Sequence, residues 1–142
     1  MASMSRPLVV GLVSCSKRKL CRPAPARELY SPSYVFDRSV RYLERRCDEW
    51  WVLSARHGLV HPDEVLEPYD ENLSGAPKTV REEWGARVRR ALLERYEGRR
   101  IKLVLMAGKS YASFLEGLEF EVEEPLRGLG TGHRRRWLSA NT

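Results

Sequence analysis

The apolar positions of the chain fall into two spacings. Leu8-Val9-Val10-Gly11-Leu12-Val13 is an unbroken run, apolar on both faces and rich in β-branched residues, the pattern of a strand buried between two layers. Trp50-Trp51-Val52-Leu53-Ser54 and Ile101-Lys102-Leu103-Val104-Leu105-Met106 read the same way, with a weaker strand at Phe120-Glu121-Val122. Between these runs the period lengthens. Phe36, Val40, Leu43 and Cys47 share one face of a helix, and Ser33 is placed to cap it. Val80, Trp84, Val88, Leu92 and Tyr96 recur every four residues, Thr79 with Glu82 fits a capping box, and Gly98 fits the carboxyl-terminal stop. Tyr111, Phe114, Leu115 and Leu118 predict a short third helix, and Trp137 and Leu138 a last one behind a glycine-rich turn.

Strands alternating with helices predict an α/β chain with a three-layer, Rossmann-like fold. Its mostly parallel sheet would have about four strands, joined by right-handed crossovers with helices on both faces, in one domain over residues 1–142. Residues 57–77 break the alternation, with two prolines (Pro62, Pro68), four acids (Asp63, Glu64, Glu67, Asp70) and little periodicity. A long irregular segment behind a strand is where open α/β sheets build their sites.

Composition narrows the class. The chain has 142 residues, 42% hydrophobic and 31% charged, a globular balance rather than a disordered one. No apolar run approaches the ~20 residues of a membrane span, and Met1-Ala2-Ser3-Met4-Ser5-Arg6 lacks the apolar stretch of a leader, so the expected setting is cytoplasmic, with no membrane partner. Three cysteines do not make a disulfide framework. The net charge of +6 permits a polyanionic partner without establishing one.

Candidate chemistry gathers behind each expected strand: Ser14-Cys15-Ser16-Lys17-Arg18-Lys19, then Ser54-Ala55-Arg56-His57-Gly58, then Ala107-Gly108-Lys109-Ser110-Tyr111, and finally Gly128-Leu129-Gly130-Thr131-Gly132. Each group mixes small residues, which let backbone approach a ligand, with hydroxyls or cations suited to phosphate. The glycine spacings match neither a dinucleotide fingerprint nor a Walker loop, and Cys15 lacks the arginine six residues on that a phosphatase loop needs. Cys15 reads either as a reactive thiol beside cations or as a small residue in a tight turn. Zinc on Cys15, Cys21 and His57 is disfavoured because no close cysteine pair exists, and neither metal nor cofactor is expected. His57 suits acid–base work, whereas His61 and His133 read as surface residues. Tyr69 and Asp70 place a carboxylate in the long loop, as a base, a ribose contact or a turn cap.

The segments Ser14–Lys19, Glu28-Leu29-Tyr30-Ser31-Pro32-Ser33, Leu53–Val60, Pro68-Tyr69-Asp70, Pro125–Gly130 and Arg136-Trp137-Leu138 together resemble a family of small bacterial and archaeal proteins of unassigned function. More distantly, the Leu-Ser-Ala-x-x-Gly-Leu-Val and Pro-Tyr elements are similar to those of the YaaA-like peroxide-stress proteins, which bind DNA. The Cys-Ser-x-x-Lys and Tyr-Ser-x-Ser order resembles the catalytic core of archaeosine synthase, which modifies a base in transfer RNA. This chain is shorter than both. These likenesses imply roles for Cys15, Ser16, Tyr30, Ser31, Ser33, Ser54, Gly58, Tyr69 and Asp70.

The leading expectation is an enzyme working on a nucleotide, a modified nucleobase or nucleic acid, by transferase or glycosidase-type hydrolase chemistry. Lys17, Arg18 and Arg56 would hold phosphate, Cys15 or Asp70 would attack or activate, and His57 would move protons. Ser14, Ser16, Tyr30, Ser31, Ser33, Ser54, Gly58, Tyr69, Gly108, Lys109, Gly128 and Gly130 complete the expected binding set. The alternative is a non-enzymatic DNA- or RNA-binding protein linked to oxidative stress, using Arg134-Arg135-Arg136 beside Trp137 and the arginines at 87, 89, 90, 99 and 100.

Overall fold

The computed structural model describes residues 6–142; residues 1–5, which carry most of the leader reading, lie outside the described residues. In chain order the elements are β1 (Leu8–Ser14), β2 (Ala24–Pro25), α1 (Ala26–Leu29), α2 (Tyr34–Arg46), β3 (Glu49–Ser54), β4 (Gly58–Val60), β5 (Val65–Leu66), α3 (Lys78–Arg95), β6 (Ile101–Met106), β7 (Glu121–Glu123) and α4 (Thr131–Asn141). The main sheet runs β4-β3-β1-β6-β7. Its inner pairs and the β6–β7 pair are parallel, and only edge strand β4 is antiparallel, returning on β3 with Ser54 opposite Gly58. The expected mostly parallel α/β sheet is therefore present, with a fifth strand that three residues (Gly58-Leu59-Val60) were too few to announce.

The both-faces-apolar reading of β1 and β6 matches their burial: Val10, Leu12, Leu103 and Leu105 on one face are 0–1% exposed and Val13, Val104 and Met106 on the other 1–3%, each contributing about 1.5–3 kcal/mol on leaving water. Helix α2 packs on β1 and β3 and against α4, while α3 packs on β4 and the turns behind β6. Gly11 explains how closely α2 sits: a Cβ there would lie 2.7 Å from Leu43 Cδ2. Ser33 caps α2 as expected, its hydroxyl accepting from the Phe36 N–H at 3.2 Å.

Three local expectations change. Helix α3 begins at Lys78 behind Pro77, without a side-chain cap, so Thr79 lies inside the helix and makes no capping box. A four-residue repeat also advances about 40° per step on a helix of 3.6 residues per turn; Trp84, Val88 and Leu92 are buried, but Val80, two turns outward on that drift, is 45% exposed. The expected third helix is instead two 3₁₀ turns, Lys109–Tyr111 and Ser113–Leu115. Its four apolar positions span too few residues to pay the cost of nucleating an α-helix.

The irregular segment 57–77 is organised by a clasp. Its β5 pairs antiparallel with β2, Ala24 opposite Leu66, and the Ala26 and Arg27 N–H groups donate to the Glu64 and Pro62 carbonyls, each at 2.9 Å. The loop behind β1 is thereby pinned to the loop behind β4. Among the described residues no helix is long and apolar enough to cross a membrane.

Candidate functional site

Strand β1 has β3 on one side and β6 on the other. The chain leaves β1 toward β3, then crosses back over β1 to reach β6, so strand order reverses between β1 and β6. Open α/β sheets hold ligands in the crevice beyond the carboxyl ends at such a reversal. Cys15 emerges from β1 here and Tyr111 from the turn behind β6. The Cys15 sulfur lies 3.3 Å from the Tyr111 hydroxyl and, on its other side, accepts from the Ala55 N–H at 3.3 Å. It is half-buried. Three strands thus contribute to the setting of one sulfur atom.

Beside it lies a string of buried hydroxyls. Tyr69 Oη is 2.6 Å from Tyr30 Oη and 2.8 Å from Ser54 Oγ, which also accepts from the His57 N–H at 3.0 Å. Tyr30 and Ser54 are fully buried and Tyr69 is nearly so. The clasp brings Tyr30 to Tyr69, because one follows β2 and the other follows β5. Burial pushes the Tyr30 phenol up to about 12. It also raises Tyr69 and Tyr111, helped in both by the charge that Cys15 would carry. All three phenols therefore keep their protons in the neutral range and act as neutral donors. Trp84 closes the floor: its Nε1 donates to the Ser54 carbonyl at 2.8 Å and its ring meets Tyr111 edge-on at 5.4 Å.

A cationic cleft is lined in part by the turn that carries Tyr111. Its volume is about 530 Å³, and its lining includes Lys109, Arg127, Gly128, Gly130 and Arg134. Lys109 opens the turn that Tyr111 closes, so cleft and thiol share one short element. Arg134 is held by its Nε donating to the Leu129 carbonyl at 2.9 Å, and its guanidinium faces Gly108, where a Cβ would come within 3.4 Å of it. Glu124 also lines the cleft and pairs with Arg127 at 3.5 Å. Among the described residues no carboxylate pairs with Lys109 or Arg134, leaving those two cations for an anion.

The expected residues divide accordingly. Cys15, Tyr30, Ser54 and Tyr69 come together in one cluster, with the exposed His57 ring on its rim, edge-on to Tyr69 at 5.6 Å. Gly108, Lys109, Gly128 and Gly130 form the cleft instead. Ser14 ends β1 opposite Leu53. Asp70, next in sequence to Tyr69, is exposed. Lys17 and Arg18 are exposed; Ser16 closes their loop by donating to the Arg18 carbonyl at 2.8 Å. Arg56 reaches Glu71 at 3.7 Å. Ser31 donates to the Glu28 carbonyl at 2.7 Å, Ser33 caps α2, and Gly58 supplies the positive φ of 74° that the β3–β4 turn requires. Cys15, Cys21 and His57 form no metal-binding group among the described residues. Two participants stand in strand-end groups to which the sequence assigns them no role of their own. Tyr111 also fits a helix face, so its position directly behind a strand is the signal that places it. Lys19 was submerged in a charge run, yet its Nζ sits 4.7 Å from the Tyr69 ring centre.

The chain is similar to the uncharacterized protein YfjM of Bacillus subtilis (strain 168), with 29% identity over 116 residues, 75% of this chain and 74% of that protein. No solved structure matches it. A family of unknown function matches residues 10–140, a span that holds the thiol centre, the hydroxyl string and the cationic cleft together, and the chain belongs to that family, DUF6884.

Proposed function

We propose that this protein is an enzyme of group transfer or hydrolysis on a nucleotide or nucleobase-containing substrate, working in the cytoplasm. The observation that supports it is the placing of Cys15 at the strand-order reversal, joined by the Lys109–Tyr111 turn to a cleft with two cations that have no carboxylate partner among the described residues. A phosphate suits Lys109, Arg134 and the backbone opening α4. The rest of the substrate then extends toward the sulfur and the phenols. The likenesses to YaaA-like proteins and to the archaeosine synthase core are consistent with such a substrate.

In the step we envisage, the Cys15 thiol passes its proton to His57 on the rim while its sulfur bonds to an electrophilic carbon of the substrate and the bond to the leaving group breaks. The leaving group departs with its electron pair and takes that proton from His57. Water or a protonated acceptor then attacks the same carbon, its proton passing through His57 to the sulfur as the carbon–sulfur bond breaks and the thiol is freed. Tyr111, protonated at neutral pH, donates a hydrogen bond to charge developing beside the sulfur. Asp70 and Lys19 hold the polar edge of the substrate.

The test has two arms. Thermal shift against a panel of nucleoside mono- and diphosphates should show stabilisation that Lys109→Ala with Arg134→Ala abolishes. Intact-protein mass spectrometry after incubation with the stabilising compound should show an adduct in the wild type and none in Cys15→Ala. A panel without any shift, or adduct formation independent of Cys15, would overturn the reading.

A further inference from the structure

The cations of this chain separate into two faces in space. Arg89 is spent on the Ser113 and Phe114 carbonyls, at 3.3 and 3.2 Å, and Arg87 on the Arg56 carbonyl at 3.2 Å. Arg90 and Arg99 share a recess of about 670 Å³ with Glu94 and Glu97, near the amino ends of β6 and β7. That face is offset by its own acids and lies away from the thiol.

The other face is built from α2 and α4. On α2, Tyr34, Arg38, Arg41 and Arg45 follow at four, three and four residues, which aligns them on one side of the helix. The opposite side carries the buried Phe36, Ser39 and Leu43. Helix α4 packs against α2 and brings three consecutive arginines and no acid. Arg135 lies 4.3 Å from the Tyr34 ring centre and Arg38 lies 5.2 Å from the same centre. Two guanidinium groups therefore converge on one ring. The two acids of α2 are already engaged, Asp37 with Arg41 at 3.3 Å and Glu44 with Arg27 at 3.6 Å. Among the described residues Arg38, Arg45, Arg135 and Arg136 have no carboxylate partner. Like charges gathered without a counter-charge cost energy in the free protein, and that cost is recovered when an anion binds.

The stripe is continuous with the candidate site. Arg134 lines the cleft, and the next residue, Arg135, stacks on Tyr34. Every cation along the α2–α4 stripe is arginine, the side chain whose planar fork meets phosphate at two points. The spacing along a helix face suits a repeating backbone of phosphodiesters better than a single compact anion. The cleft has room for about one nucleotide, so a chain running from it onto α2 must leave that nucleotide unpaired.

We infer that the α2–α4 face binds the backbone of a single-stranded nucleic acid and feeds one nucleotide of it into the cleft lined by Lys109 and Arg134. This deepens the proposed function and rests on it, replacing a free nucleotide by a residue within a polynucleotide. Roughly four phosphate contacts at about 0.7 each give a log–log salt slope near −3, on the order of a fiftyfold loss of affinity between 50 and 200 mM salt.

The experiment is fluorescence anisotropy of the full chain with mixed-sequence, labelled 12-nucleotide single strands of RNA and of DNA, across that salt range. Arg38→Glu with Arg135→Glu should weaken binding of both at least tenfold and make the slope shallower by about 1.4, while circular dichroism and the thermal shift by nucleoside monophosphates stay as in the wild type. Arg90→Glu with Arg99→Glu, on the other face, should leave oligonucleotide affinity unchanged. The inference is overturned if the α2–α4 variant binds like the wild type, if affinity is independent of salt, if the matching duplex binds as tightly, or if polyglutamate or anionic phosphatidylserine vesicles compete as well as the unlabelled strand. Oligonucleotide binding without any monophosphate shift would uphold the α2–α4 face as a binding surface while overturning the mononucleotide cleft; the reverse result would keep the cleft and overturn the inference.

Discussion

Tyr69→Phe is the sharpest probe of the hydroxyl string, because it deletes a single oxygen at the centre of it. That oxygen is bonded to Tyr30 at 2.6 Å and to Ser54 at 2.8 Å. Ser54 keeps the His57 N–H at 3.0 Å, so its loss is one net hydrogen bond, about 1 kcal/mol. Tyr30 is 0% exposed and loses its hydroxyl partner outright, which adds about 1–2 kcal/mol for an orphaned buried group. The ring itself stays, with its edge contact to His57. The expected loss is therefore about 2–3 kcal/mol, a large share of a typical stability, and at roughly 4 °C per kcal/mol for a chain of this size the melting temperature should fall by about 8–12 °C. Urea unfolding followed by tryptophan fluorescence measures it. The double variant with Tyr30→Phe should lose no more than Tyr69→Phe alone, since removing both phenol oxygens leaves no orphan; strict additivity would show that the two hydroxyls are not coupled. A single-variant change below 0.5 kcal/mol would refute the argument.

Gly85→Ala sets two effects against each other: alanine favours a helix by about 1 kcal/mol, but its Cβ would lie 2.5 Å from Ser113 Oγ and 3.0 Å from the Phe114 nitrogen. Backbone cannot yield as a side chain does, so a net destabilisation of about 1–3 kcal/mol is expected in the same urea assay. Asp48 receives hydrogen bonds from Arg6 and from the Val9 N–H, which hold its carboxyl at about 2 against an ordinary 3.8. Its stabilisation is complete above 3.8 and disappears as pH falls toward 2, so Asp48→Asn should flatten the stability profile across that window; an unchanged acid limb would count against the pairing. Burial pushes the Cys47 thiol up to about 12, whereas Cys21 is exposed. Iodoacetamide at neutral pH followed by peptide mapping should therefore label Cys21 and leave Cys47 unlabelled until urea unfolds the chain.

The strands were legible because burial on both faces leaves a mark in consecutive residues, as in Leu8–Val13. Helix α2 was legible because Ser33 caps it and its apolar positions keep helical phase. Strand β4 was not, since pairing with β3 depends on a three-residue return and not on any pattern of its own. The site was half legible. Cys15, Ser54 and Tyr69 stood out by position or motif, but what joins them does not. Tyr111 meets Cys15 across 96 positions and Tyr30 meets Tyr69 across 39, and no local periodicity records such distances. The β2–β5 clasp, two residues a side, is likewise visible only in three dimensions. Lys19 shows the converse: a residue inside a solvated charge run turns inward over an aromatic ring.

The central position of β1 has a consequence for synthesis. Leu8 pairs with Ile101, so one edge of the first strand stays open until nearly the whole sheet has been translated. At ribosomal rates of about 5–20 residues per second, Cys15 waits on the order of 5–20 s for the Tyr111 that covers it. During that interval the nascent chain presents an unscreened thiol and an unpaired strand edge together.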